Sequence, residues 1–442
     1  MNRTMAGMEF AAAKPRAMII GTLLLIPLAA CLVSARTLSF LIVLPLLAFV
    51  YLWAASPVRE RPRVSLADPG APALLLAGWA IVSALWAANP LLPLDKAPLA
   101  LVYVVASIFM VHQAARADQL TLRHLGEGVC MGLSIGLTYC ALEMLTDQSI
   151  KIFVYNLLEL GENELTPPSW YTWDDSGRLL TVSWLDFTRN AAPISLFVWS
   201  AALACLGTLD RTFARVLAPC LVAVAVVVIM ASPHETSQLA IVAGLISFAL
   251  GRFAAALAPK LLMAGWLVAT FLVVPVALGL HAAGLHTADW VQQSAQGRVI
   301  IWNITAEKTF DSPLVGVGAN MAREIGLAHD TAAGGVPSAD GTVPMMSIHS
   351  HNVFLQTWFE LGFVGASLLA WLGIALIIAM TKLKSESRPY AYATFASAAT
   401  MASASYGMWQ FWFIAMFALT PVLVVIANLT VGVRSDAAAV ED

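Results

Sequence analysis

The chain has 442 residues, 59% of them hydrophobic and only 12% charged, with a mean hydropathy of +0.78. A soluble protein carries roughly 25% charged residues, so this composition excludes an ordinary soluble domain and describes a chain built for a bilayer. The net charge of −3 at pH 7 says little for a membrane protein, and no nucleic-acid partner is expected.

A spanning helix needs about 20 mostly apolar residues. Twelve such runs follow in chain order, near 17–34, 37–56, 71–88, 97–115, 125–145, 190–208, 216–232, 238–250, 261–281, 353–380, 390–407 and 411–430. Arg3, Lys14 and Arg16 precede the first run, and no small-residue cleavage site follows it. That pattern reads as an uncleaved first span rather than a signal peptide. The fold class expected is an all-α integral membrane protein of about twelve transmembrane helices. Residues 1–281 hold spans one to nine with a loop near 146–189; residues 282–352 form a large, partly helical loop; residues 353–442 hold spans ten to twelve and a tail.

Twelve spans put both termini on one side of the membrane. Sixteen of the 24 Lys and Arg residues fall in the short segments on that side, among them Arg59, Arg61, Arg63, Lys382, Lys384 and Arg388. The positive-inside rule makes that side cytoplasmic and turns the two long loops outward. The cysteines, Cys31, Cys130, Cys140, Cys205 and Cys220, all fall inside spans, show no zinc-like spacing and read as small core hydrophobes.

The first long loop is rich in aromatics and acids: Tyr155, Trp170, Tyr171, Trp173, Asp174, Asp175, Trp184 and Asp186. An interfacial aromatic belt explains these residues, and so does a sugar-binding surface. Arg189 ends the loop at the outer boundary, where a snorkelling arginine competes with a functional one. The positive-inside bias favours the functional reading.

In the second loop, Ser294 is the expected N-cap of a helix running through Gly297-Arg298 to Phe310, stopped by Asp311-Ser312-Pro313. Gly316 and Gly318 then mark a turn, with no strand before them and no Lys-Ser/Thr after, so they are no phosphate loop. A glycine-rich segment at 326–347, with Gly326, Gly334, Gly335 and Gly341, reads as a lid or as slack.

The most informative stretch is His349-Ser350-His351-Asn352 and the helix it opens. Residues 361–380 already cross the hydrocarbon, so 351–360 rise about 15 Å above it at 1.5 Å per residue. Asn352, Gln356 and Glu360 follow at i, i+4 and i+8 and share a face. The helix dipole at His351 disfavours the imidazolium, which keeps the ring neutral and able to accept a proton. Gly362, Ala366 and Ala370 form a small-residue packing stripe further down.

His351-Asn352, nine residues, Gly362, two residues and Gly365 resemble the signature of bacterial O-antigen ligases. Gly297-Arg298-x3-Trp302 and Pro313-Leu314-x-Gly316-x-Gly318-x-Asn320 are similar to the large outer loop of the same superfamily. That superfamily includes O-antigen and exopolysaccharide polymerases and protein O-oligosaccharyltransferases. The resemblance covers about 297–380, and the run Ser232-Pro233-His234-Glu235-Thr236-Ser237 departs from it where relatives often carry Ser-Arg.

The resemblance implies a multi-pass glycosyltransferase of the bacterial inner membrane, with cytoplasmic termini and a periplasmic site. It would pass a glycan from undecaprenyl pyrophosphate to a lipid A-core sugar hydroxyl, without metal or cofactor and with inversion. His351 is then the candidate catalytic base, and Arg189 and Arg298 are the candidate pyrophosphate ligands, since guanidiniums offer phosphate a two-pronged fork. His349, Asn352, Gln356 and Glu360 are candidate orienting or sugar-binding neighbours. A polymerase on the same lipid carrier would use much the same site. A protein O-glycosyltransferase and a secondary transporter are the further alternatives. The transporter lacks a matched pair of interrupted helices.

Overall fold

The computed structural model of the chain describes residues 2–56, 62–161, 164–165, 168–332, 346 and 349–441. Arg59, Arg61, Gly334, Gly335 and Gly341, which entered the sequence reading, lie outside the described residues.

Backbone groups in hydrocarbon have no water to bond, so apolar runs close their hydrogen bonds internally as helices. The first half comprises α1 (Asn2–Val33), α2 (Leu38–Leu41), α3 (Val43–Ala55), α4 (Gly70–Val82), α5 (Leu91–Ala114), α6 (Gln119–Leu145) and α7 (Ser149–Leu157). A two-stranded antiparallel hairpin follows, β1 (Tyr171–Trp173) and β2 (Leu179–Val182), pairing Tyr171 with Val182. Then come α8 (Thr188–Thr208), α9 (Arg211–Ala231), α10 (Glu235–Phe253), α11 (Ala258–Phe271) and α12 (Val273–Ala282). The last five are α13 (Gln293–Thr309), α14 (Ala322–Ala332), α15 (Val353–Thr381), α16 (Arg388–Ala404) and α17 (Phe411–Glu441).

All twelve apolar runs therefore fall on helices, and the chain is an all-α membrane protein with one small hairpin outside the spans. The count of twelve crossings is not reproduced. Among the described residues nine helical segments are long and apolar enough to span, and α11 with α12, bent by 67°, makes a tenth. Helices α4 and α16 have 13 and 17 residues, short of a full crossing by themselves.

The hub is α8, buried at almost every position from Asn190 to Thr208. Its many alanines and serines let neighbouring helices approach closely, which is how helices associate when lipid supplies no hydrophobic drive. Trp199 is locked inside by hydrogen bonds from Nε1 to Ser195 O and Ser397 Oγ, both 3.1 Å. The N-terminal end of this packed helix carries Arg189, so that residue stands on a rigid base.

One correction concerns the cysteines. Cys130 on α6 and Cys205 on α8 form a disulfide, with Cα atoms 5.6 Å apart and 75 residues between them in sequence. Packing of the two helices brings the pair within bridging distance. Cys31, Cys140 and Cys220 are free.

A second correction concerns α15. The expected uninterrupted helix is broken at Gly362 (φ 65°, ψ −163°), a conformation open essentially to glycine alone. The turn 313–318 seats against the break and supplies the backbone partners that the helix loses there. Phe363 N donates to Pro313 O (2.9 Å), Val317 N to Phe359 O (3.1 Å) and Gly318 N to Glu360 O (2.9 Å). A Cβ on Gly362 would stand 2.4 Å from Leu314 C, and one on Gly316 would stand 2.2 Å from Glu360 C. Two tryptophans beside α4 close the junction, Trp79 Nε1 onto Leu361 O (3.1 Å) and Trp86 Nε1 onto Gly316 O (3.0 Å).

Gly362→Ala is therefore expected to cost on the order of 3 kcal/mol, from a forbidden backbone and a backbone clash together. Melting in detergent is expected to drop by several degrees, with poorer recovery from the membrane. Gly78→Ala, whose Cβ meets nothing within 4 Å, is the neutral control.

Candidate functional site

The polar side chains gather where the two long loops meet. Three segments contribute most: the start of α8, the helix α13, and the run 349–352 that leads into α15. A fourth, the turn 405–410 between α16 and α17, did not stand out in the sequence.

His351 sits in the left-handed region at φ 55°, an uncommon position for a non-glycine residue and one that recurs at functional sites. Its surroundings fix it from both sides. Trp302 Nε1 donates to Ser350 O (2.8 Å), and Ser350 Oγ donates to Asn352 O (2.9 Å). Asn352 caps α15, its side chain accepting from Leu355 N at 3.1 Å. The cap one residue later turns the backbone so that His351 stays outside the helix.

His351 Nδ1 lies 2.7 Å from Ser405 O. A carbonyl only accepts, so Nδ1 carries the proton and Nε2 is left as the basic nitrogen. Burial, the neighbouring His349 ring and the Arg298 charge push the imidazole down to about 4, against a smaller upward pull from Ser405. It is neutral at physiological pH.

His349 meets His351 edge-on, with ring centroids 4.1 Å apart. Its Nε2 lies 3.4 Å from Gln410 Nε2, and its buried Nδ1 has no partner. Gly407 makes room for the ring, since a Cβ there would stand 2.3 Å from His349 Cδ2. Burial holds this imidazole below its ordinary value too.

Arg298 lies on α13 one turn before Trp302, the tryptophan that pins Ser350, and its charge reaches both His351 and His234. The expected cap changes here: Gln292 precedes the helix, and Ser294 Oγ donates instead to Glu235 Oε2 (2.9 Å). Glu235 thus spends an oxygen on Ser294, and its contact with Arg298 Nη1 is long, at 4.0 Å. The guanidinium keeps most of its donors for another acceptor.

His234 caps the far side. Its Nδ1 is 2.6 Å from Ser237 Oγ, its ring stacks on Tyr406 at 5.5 Å, and burial with the Arg298 charge lowers it to about 4. The His234 ring is therefore neutral at physiological pH.

Arg189 comes from the first loop and stacks over Trp170, 5.2 Å from the ring centroid. It lies within electrostatic reach of Arg36, on the short turn Ala35–Thr37, and of Asp186. Asp186 is already engaged by Lys151 Nζ (2.6 Å) and by the Tyr171 hydroxyl (3.2 Å). Two neighbouring guanidiniums with a carboxylate occupied elsewhere make a positive field suited to an anion.

Asn352, Gln356 and Glu360 are buried away from this opening. Gln356 Nε2 donates to Glu360 Oε1 (3.1 Å) and its Oε1 accepts from Met408 N (3.2 Å). Glu360 accepts from Asn320 N (3.0 Å), Ala322 N (3.1 Å) and the Trp409 indole. These three hold the loops in place around the histidines. Asp174, one of the acids of the first loop, caps its own turn by accepting from Ser176 N and Arg178 N, both 2.9 Å.

Tyr406, Gln410 and Glu235 complete the site and were missed by the sequence reading. The available signal was an aromatic and polar cluster, Tyr406-Gly407-Met408-Trp409-Gln410, between two apolar runs at an outer boundary.

The fold and site define a multi-pass α-helical membrane protein with histidines and arginines gathered where its polar loops converge. In comparison with known proteins, residues 220–370, about a third of the chain, match the family model described as O-antigen ligase. The resemblance drawn from the sequence holds there, and the match includes His234, Arg298, His351 and Gly362; Arg189 and Tyr406 lie outside it. Among relatives, a Rickettsia bellii protein named as a polysaccharide ligase is 27% identical over 174 residues, 39% of this chain and 42% of that protein. One of the same name from Rickettsia felis is 25% identical over 228 residues, 51% of this chain and 54% of that protein. The chain spans about half or less of the length of these relatives.

Proposed function

We propose that the chain is an O-antigen ligase of the bacterial inner membrane, working on the periplasmic face with both termini in the cytoplasm. It transfers polysaccharide from undecaprenyl pyrophosphate to a sugar hydroxyl of the lipid A core, with inversion and with no step assigned to a metal. The observation that carries this reading is the fixed tautomer of His351, which leaves Nε2 basic within the electrostatic reach of Arg298.

In this reaction the acceptor hydroxyl attacks the anomeric carbon opposite the diphosphate. The new C–O bond forms as the old one breaks, and its electron pair leaves with undecaprenyl pyrophosphate. The hydroxyl proton passes to His351 Nε2. Arg298 and Arg189 meet the charge that builds on the departing phosphate. An anion arriving among these guanidiniums also favours the imidazolium, which makes His351 a stronger base once donor is bound.

Deletion of the gene followed by separation of lipopolysaccharide forms tests the reading. Loss of capped lipopolysaccharide with long lipid-linked chains accumulating is the expected result. Cores bearing a single repeat unit would instead assign a polymerase, and unchanged lipopolysaccharide would overturn both.

A further inference from the structure

Tyr406 is a residue of the site that the proposed chemistry does not use. Three neighbours hold its ring: the His234 ring stacked at 5.5 Å, Trp412 edge-on at 4.7 Å and Phe413 at 5.9 Å. The next residue back, Ser405, supplies the carbonyl that fixes His351. The phenol is thus tied to the same turn as the base and cannot drift relative to it.

Its hydroxyl oxygen is enclosed and, among the described residues, makes no hydrogen bond of standard geometry; Thr188 alone is close enough to interact with it weakly. Thr188 is a polar neighbour, but its hydroxyl donates to Leu185 O at 2.7 Å, and no hydrogen bond of standard geometry joins the two side chains. Enclosed hydroxyls in folded proteins are almost always bonded, so an orphan in a positively charged site marks a partner that arrives from outside. The charges it feels are Arg189, from the first loop, and Arg298, from the second. Tyr406 is the group that stands within electrostatic reach of both.

We propose that Tyr406 donates a hydrogen bond to a phosphate oxygen of the lipid-linked donor, completing an anion site whose other members are Arg189 and Arg298. The inference rests on the ligase reading above and adds a binding residue to it. Both guanidiniums are half-buried on long, rotatable side chains, free to turn toward an anion that reaches the phenol. Burial pushes the phenol up to about 12, so it stays protonated and can only donate to a phosphate that has no proton of its own.

The test uses the purified full chain in detergent, with undecaprenyl pyrophosphate and undecaprenol as two probes of equal tail and different head. Tyr406→Phe keeps the ring that His234, Trp412 and Phe413 hold, so its melting temperature stays that of the wild type. A hydrogen bond to a charged group predicts that the variant binds undecaprenyl pyrophosphate at least about tenfold more weakly. Undecaprenol binding stays unchanged. Equal loss for both probes overturns the proposal, because it means the hydroxyl only shapes the site. Unchanged binding of undecaprenyl pyrophosphate by the variant overturns it alone and leaves the ligase reading standing. A wild-type protein that does not distinguish the two probes overturns the donor reading, and the role of Tyr406 with it.

Discussion

Replacing His351 with alanine or glutamine leaves the protein in the membrane and removes glycan transfer. Glutamine is the sharper variant, because its amide can still donate to Ser405 O but has no nitrogen able to take a proton. Loss of a general base costs about 10²- to 10⁴-fold in rate. A transfer assay on membranes, with the protein quantified by immunoblot, measures it. Near-normal transfer by His351→Gln would sink the assignment of the base.

The pH profile checks the same residue without a mutation. The active form of His351 is the neutral one, and in the free protein it is held at about 4, chiefly by burial. Lowering pH from 8 to about 5 therefore leaves kcat/KM flat as far as this group is concerned. Below about 4 it falls roughly tenfold per pH unit as the imidazole protonates. The limb in kcat lies at higher pH than the limb in kcat/KM, because bound phosphates stabilise the imidazolium. A kcat/KM limb centred near 6.5, the ordinary histidine value, would mean that the ring is not in the buried setting described here.

The parts of this molecule legible in the sequence are those written in local patterns. Apolar run length alone located every long helix. The motif around His351 and the Gly-Arg-x3-Trp of α13 located two sides of the site, because each is a short stretch of chain. The nine-residue gap between Asn352 and Gly362 also has a local reason. It is the distance from a helix cap to a break where the 313–318 turn must seat against bare backbone. That makes the gap a folding requirement, and it carries less weight as a mark of ligase over polymerase.

What stayed hidden depends on residues far apart in sequence. Glu360 read as one member of a polar stripe, yet its carboxylate binds amides near 320 and an indole at 409. Cys130 and Cys205 read as unlinked core residues because nothing in either span announces that α6 packs on α8. Ser294 fits the pattern of a helix cap, but Glu235, 59 residues earlier, takes its hydroxyl. Tyr406 lies in a turn of a few residues between two apolar runs, too short to draw notice until His351 is seen hanging from it.

Arg298→Lys is expected to lower kcat/KM for transfer about 100-fold while leaving the melting temperature in place. The stability expectation follows from the weak native contact, since a partly exposed ion pair at 4.0 Å contributes little to folding. The activity expectation follows from shape. Arginine presents a planar fork that grips two phosphate oxygens at once, whereas lysine offers one compact ammonium on a flexible stem. The donor diphosphate is already an anion, and one further negative charge builds as the glycosidic bond breaks, so the loss shows in kcat as well as in KM. A lysine variant as active as the wild type would reduce Arg298 to a surface charge. The field at the leaving group would then rest on Arg189, and the double variant Arg189→Lys/Arg298→Lys would lose no more than Arg189→Lys by itself.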